Sequence, residues 1–281
     1  MLMTAAVVPG PPAFVPELMG SAAHELDELR EAADRAVSGV LEALIARSQE
    51  AGSGSGAGPA QLVVVGPGPC GEFDAAGPIS FAGFGRDLVL PALVGGKPAD
   101  GLLPTPIMVA RYLASRDIEV HPGHAPLWAG ARWITTSGDE SAEVGQWLAA
   151  EASDAGLILV ADGAACHGPK APRAQDDRAQ AYDDSVWAAL ASGQPGRLAQ
   201  IDAALGQELG ANGYQVWPVL AAAYVAGAGL ANREPAEGGA ARTAGVGSAS
   251  GEASACGAVG EVLWAGAPYG VGWAVATWRR P

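Results

Sequence analysis

The residue with the clearest capacity for proton chemistry is His167, which ends the run Ala161-Asp162-Gly163-Ala164-Ala165-Cys166-His167 and is followed by Lys170. An imidazole titrates near neutral pH and can serve as a general base. A carboxylate at Asp162 and an ammonium at Lys170 could hold a polar molecule beside it. His167 is therefore the candidate catalytic residue, and Asp162 and Lys170 are the candidate substrate-binding residues. The alternative for His167 is a loop histidine hydrogen-bonded for structure alone. Cys166 does not pair with it, because adjacent side chains on extended backbone point apart, and no cysteine-hydrolase signature accompanies the thiol. His121 and His124 have the spacing of two metal ligands, but Pro122 and Gly123 between them place the pair on a loop, and no H-E-x-x-H pattern is present. His24 reads as solvated on an amphipathic helix. The stretch Gly66-Pro-Gly-Pro-Cys-Gly71 matches G-x-G-x-x-G, yet Pro67 and Pro69 remove two of the backbone donors that a pyrophosphate needs. No metal site is assigned from these residues.

The elements that must position His167 can be read from apolar runs. Gly156 to Ala161 (GLILVA) is the clearest strand, and His167 follows it, at the edge where α/β sheets place their sites. Met3 to Val8 and Leu62 to Val65 read as two more buried strands. Between them Leu26, Leu29, Ala33, Val37, Val40, Leu41 and Leu44 recur at helical spacing, with Ser21 as the expected N-cap. This β-α-β opening favours a parallel sheet. Weak strand signals lie near Phe81 and Leu88. Pro106 to Ser115 and Ser141 to Ala152 read as helices, and Ile118 to His121 and Trp133 to Thr136 as strands. Asp177 to Ala191 reads as a helix, and Pro195 starts another that runs to about Leu209. Val216 to Ala231 is an apolar helix too short and too interrupted to span a membrane. Glu261 to Ala265 and Val271 to Thr277 form a closing hairpin, whose tryptophans, Trp264, Trp273 and Trp278, suit core packing. The expected architecture is one α/β domain over residues 1–281, with a mostly parallel central sheet flanked by helices and a C-terminal hairpin. Gly- and Ser-rich stretches at 50–60 and 234–257 are expected to be flexible loops.

Composition narrows the partners. The chain has 281 residues, 16 Lys and Arg against 30 Asp and Glu, and a formal net charge of −14. That excess excludes nucleic acid and anionic membrane surfaces, since no basic patch can release counterions. Three scattered cysteines form neither a disulfide framework nor a zinc ribbon. The first residues lack the basic region of a secretory leader. A cytoplasmic protein with a small-molecule ligand is the resulting expectation.

Several segments together resemble the B-type subunits of the class III extradiol ring-cleavage dioxygenases, in an uncharacterised actinobacterial branch. They are Val7-Val8-Pro9-Gly10-Pro11-Pro12 with Val15-Pro16-Glu17-Leu18, Val63-Val64-Val65-Gly66-Pro67-Gly68, and Ala161 to His167. Ala181-Tyr182-Asp183, Ala191-Ser192-Gly193 and Ala267-Pro268-Tyr269-Gly270-Val271-Gly272 complete the set. The resemblance implies a single α/β domain, non-haem Fe(II) or sometimes zinc near the sheet edge, an acid–base histidine at His167, and association into homo-oligomers. It also implies ligand histidines at the positions of Gly10 and Gly68, with a further ligand near Gln215. Glycine offers no side chain to a metal, and a facial triad needs three good donors. The expected function is thus a divergent member that has lost the metal site, needs no cofactor and keeps a polar pocket around His167. The alternative is an active dioxygenase cleaving a catechol-like ring, holding Fe(II) or zinc through relocated ligands, with His121 and His124 supplying two of them.

Overall fold

The computed structural model describes residues 2–51, 60–93, 95–96, 102–138, 140–150, 154–231 and 258–281. Most of the expected loop at 50–60 and all of that at 234–257 lie outside these residues, as does Cys256.

Seven strands build the main sheet: β1 (Leu2–Val8), β2 (Gln61–Pro67), β3 (Gly71–Phe73), β6 (Arg132–Thr136), β7 (Ala155–Val160), β8 (Val259–Gly266) and β9 (Trp273–Arg279). Their order is β3-β6-β2-β7-β1-β9-β8. β4 (Ile79–Ser80) and β5 (Val89–Leu90) pair separately, close to the two weak strand signals. The four central strands β6, β2, β7 and β1 are parallel, while β3, β9 and β8 join antiparallel at the edges. The α/β architecture with a mostly parallel sheet, flanking helices and a C-terminal hairpin is therefore present.

The central strands are near-continuous apolar runs because helices cover both faces. Alternate residues of each strand enter two different cores, as the two-residue period of a strand requires. Ala6, Val8, Leu62, Val64, Ile158 and Val160 pack with α2 (Asp27–Ala51) and α3 (Thr105–Val120). Ala5, Val7, Val63, Val65, Leu157 and Leu159 pack with α5 (Glu140–Ala150), α6 (Arg178–Ser192) and α9 (Trp217–Ala231). Trp273 joins the first core and Trp278 the second.

Three expectations change. Ile118 to His121 is no strand but the last turn and C-cap of α3. Buried Ile107, Ala110, Arg111 and Ala114 already set a helical stripe that Asp117 and Ile118 continue, and that longer period overrides a four-residue β-like window. Ser21 caps no α-helix, because residues Gly20–Leu26 coil as a 3-10 segment and the regular helix begins at Asp27. The helix expected from Pro195 to about Leu209 is two, α7 (Pro195–Ala199) and α8 (Ala203–Leu209). Asp202 breaks it, its carboxylate accepting the Leu205 N–H at 2.9 Å as the N-cap of α8. Gly71 opens the short strand β3 rather than a helix, so the G-x-G-x-x-G match lacks the helix N-terminus of a dinucleotide site. The remaining helices, α1 (Pro16–Met19) and α4 (Ala125–Ala129), are single turns. Among the described residues no helix is long and apolar enough to cross a membrane.

Candidate functional site

The carboxyl ends of β1, β2 and β7 meet at one edge of the sheet, and Asp162 stands there, 4% exposed. Its Oδ1 accepts the Gly10 N–H at 3.0 Å and its Oδ2 accepts the Asn212 Nδ2–H at 2.8 Å. The Asp162 N–H returns a bond to Asn212 Oδ1 at 2.9 Å, and its carbonyl accepts the Gly213 N–H at 2.8 Å. Asp162 thus fastens the end of β1 and the turn after α8 to the end of β7. Burial pushes its carboxyl up to about 6, against the pull of the Gly10 and Asn212 donors; the charge on Asp183 raises it further.

That displacement fixes the sign of a pH effect. Between about 4 and about 6 the folded chain keeps a proton that the unfolded chain releases. The contribution is fully present below the ordinary carboxylate value and is lost as pH rises through about 6. Comparing unfolding free energies of the wild type and Asp162→Asn from pH 4 to 7 should show the wild type losing up to about 3 kcal/mol relative to the variant. A difference that stays flat across that range would contradict this.

His167 lies on the loop between β7 and α6. Its Nε2 is 2.6 Å from Asp183 Oδ2, and the Asp183 side chain is 2% exposed. The other oxygen, Oδ1, accepts the Ala164 N–H at 2.9 Å. Burial raises the Asp183 carboxyl, while the Ala164 donor and His167 pull it down. Two glycines make room for this carboxylate. A Cβ on Gly163 would lie 2.3 Å from Oδ1, and one on Gly272 would lie 1.7 Å from Oδ2, so any side chain at either position displaces Asp183. The loop is tied to the β8–β9 turn by three backbone bonds. The Gly163 N–H donates to Gly272 O at 2.6 Å, the Gly272 N–H to Ala164 O at 2.8 Å, and the His167 N–H to Gly270 O at 3.0 Å.

Beside the pair opens a cleft of about 180 Å³, lined by His167, Gln180, Asp183, Asp184, Trp187 and Ala265–Ala267. Gln180 Nε2 donates to Asp184 Oδ1 at 2.8 Å. Among the described residues the lining has two carboxylates and no Lys or Arg. Of the three candidate residues, His167 is the one that lines this cleft. Asp162 lies buried deeper, with each carboxylate oxygen accepting a hydrogen bond, and Lys170 is exposed on the same loop.

Sequence reading misses Asp183 as a functional residue. It stands on α6 one position after buried Tyr182, and buried Ala179, Val186 and Leu190 lie at i−4, i+3 and i+7 from it. A carboxylate on an apolar helical stripe must find a partner when buried, and that position is the available signal.

The residues do not fit the metal that the resemblance implies. Gly10 spends its N–H on Asp162, and a Cβ there would lie 2.8 Å from Val160 Cγ1. At Gly68 a Cβ would lie 3.4 Å from Thr135 Cβ, an ordinary contact, so the obstacle there is the backbone. Gly68 has φ +152°, a backbone that side chains rarely adopt. Gln215 contributes its carbonyl to the Ser141 hydroxyl, which donates to it. Relocated ligands do not assemble either. The rings of His121 and His124 stack with centroids 4.9 Å apart, and His124 Nδ1 contacts both Asp117 oxygens at 3.0–3.1 Å. Ser38 Oγ and Trp128 Nε1 donate to the same carboxylate, at 3.0 and 2.8 Å. His121 and His124 follow α3, which ends at the amino-terminal edge of the sheet, whereas His167 follows the carboxyl end of β7. The length of β7 between the two edges is roughly 20 Å. Among the described residues no three His, Cys, Asp or Glu side chains cluster as a metal site would require.

The chain matches no protein-family model, and no characterised protein is significantly similar to it in sequence.

Proposed function

We propose that this is a divergent protein of the class III extradiol dioxygenase type that has lost the metal site, and that it binds a small molecule in the cleft beside His167. The observation that carries the reading is the 2.6 Å contact between His167 Nε2 and the buried Asp183 carboxylate. When Asp183 is ionised it accepts the Nε2 hydrogen, and in the neutral imidazole that leaves the lone pair on Nδ1. His167 is then a proton acceptor fixed in one tautomer, and Asp183 is its positioning residue. A lining with two carboxylates and no cation favours a neutral or cationic ligand over an anion. A hydroxyl or ammonium group facing Nδ1 could donate a hydrogen bond there.

Binding of catechols, aliphatic amines and carboxylic acids, followed by chemical-shift changes in the full chain, tests this. Catechols or amines should perturb the amides around His167 and Trp187, and carboxylic acids should not. His167→Ala should weaken that binding by about tenfold or more, the effect of removing a hydrogen bond to a polarised group. Binding that is equally tight in His167→Ala would overturn the reading.

A further inference from the structure

Tyr269 is the one residue other than glycine with a positive φ among the described residues, at φ 56° and ψ 20°. A side chain in the left-handed region crowds the following carbonyl, and such a conformation persists where its surroundings hold it. Two side-chain contacts hold it here, beside the backbone bonds from the Gly270 N–H to Ala267 O and the Val271 N–H to Pro268 O, both 3.2 Å. The Tyr269 hydroxyl donates to Glu25 Oε2 at 2.7 Å, and its ring meets buried Trp273 at 6.4 Å and 61°. Glu25 belongs to the 3-10 segment ahead of α2, more than two hundred residues away in sequence. The turn that carries Tyr269 is also the turn that ties down His167. Gly270 supplies the carbonyl that accepts the His167 N–H, Gly272 bonds both Gly163 and Ala164, and Ala265, Gly266 and Ala267 line the cleft.

We propose that residues 266–272 are a strained strap along the cleft, latched by the Tyr269–Glu25 hydrogen bond, and that opening the latch loosens the His167 loop. The latch is at the surface, with Tyr269 39% exposed and Glu25 exposed. It can therefore open without breaking either core. Once it opens, the left-handed backbone at Tyr269 has lost one of its two side-chain restraints and relaxes toward the ordinary region. That relaxation rotates the peptide that joins Tyr269 to Gly270, next to the carbonyl which receives the His167 N–H. The inference rests on the cleft reading only in taking His167 as the group the strap controls.

Hydrogen exchange of the full chain, resolved to peptides covering 163–172 and 264–274, tests the strap without any ligand. Tyr269→Phe and Glu25→Ala each remove the latch and keep the strained backbone. Both should speed exchange in these peptides by about fivefold, a modest value for an exposed bond to a charged acceptor. Tyr269→Gly removes latch and strain together, because glycine adopts positive φ freely. It should exchange close to the wild type, and adding Glu25→Ala to it should change nothing further. Wild-type exchange in Tyr269→Phe and Glu25→Ala would overturn the strap. So would faster exchange in β7 as well, since that reports global destabilisation, or equal loosening in Tyr269→Gly. Each of these outcomes is independent of whether catechols or amines bind, so failure of the strap and failure of the ligand reading are read separately.

Discussion

Gly272→Ala is expected to destabilise the protein by about 3 kcal/mol or more, an unusually large effect for one added methyl group. The new Cβ would fall 1.7 Å from Asp183 Oδ2 and 2.6 Å from its Cγ. Asp183 cannot swing aside freely, because Oδ1 holds the Ala164 N–H and Oδ2 holds His167. Gly272 cannot retreat either, since its own N–H and carbonyl both bond the 163–164 backbone. Either the buried carboxylate loses its partners or the strap leaves the loop. For a chain of this size the fall in Tm should be roughly 6 °C or more. Asp183→Ala is damaging for a different reason, since it strands the Ala164 N–H and frees His167. It also removes the atom that the Gly272 methyl strikes. The two substitutions together should therefore cost clearly less than the sum of their separate effects, a coupling that chemical denaturation of the four proteins measures. Strict additivity would mean that the crowding at Gly272 is relieved elsewhere. A Gly272→Ala protein as stable as the wild type would contradict the packing around Asp183 altogether.

The parts of this arrangement that are legible in the sequence are those with a strong local signal. Apolar runs mark β1, β2 and β7 because strands covered on both faces need no polar alternation. The loop after β7 is legible for the same reason, and it brings His167 to attention. The Pro268-Tyr269-Gly270 turn is visible as a break between two strands, although nothing local announces that Tyr269 takes the left-handed region. The partners of His167 and Asp162 are hidden because they are tertiary. Asp183 lies within a helix read from its apolar residues and stands out only once its neighbours at i−4 and i+3 are known to be buried. Asn212 lies fifty residues from Asp162 in a short 3-10 turn. His121 and His124 mislead in the opposite direction. Their spacing suggests a metal, yet they close a helix at the far edge of the sheet, where His124, Ser38 and Trp128 satisfy the buried Asp117 carboxylate.

The second large effect concerns metal retention. The positions where the resemblance places ligand histidines are Gly10 and Gly68. Val160 and Asp162 crowd the space beside Gly10 at the end of β1, and the φ of +152° at Gly68 disfavours any side chain there. A tight Fe(II) or Zn(II) site needs three or four side-chain donors at about 2 Å. Asp162 is one carboxylate, already accepting two hydrogen bonds. The decisive measurement is the metal content of the full chain after anaerobic incubation with Fe(II) or Zn(II) and removal of unbound ions, in the wild type, in His167→Ala and in His121→Ala with His124→Ala. The account predicts far less than one ion per chain in all three, with no dependence on these histidines. One retained ion per chain, lost when any of them is replaced, would contradict it and return the protein to the ring-cleaving metalloenzymes.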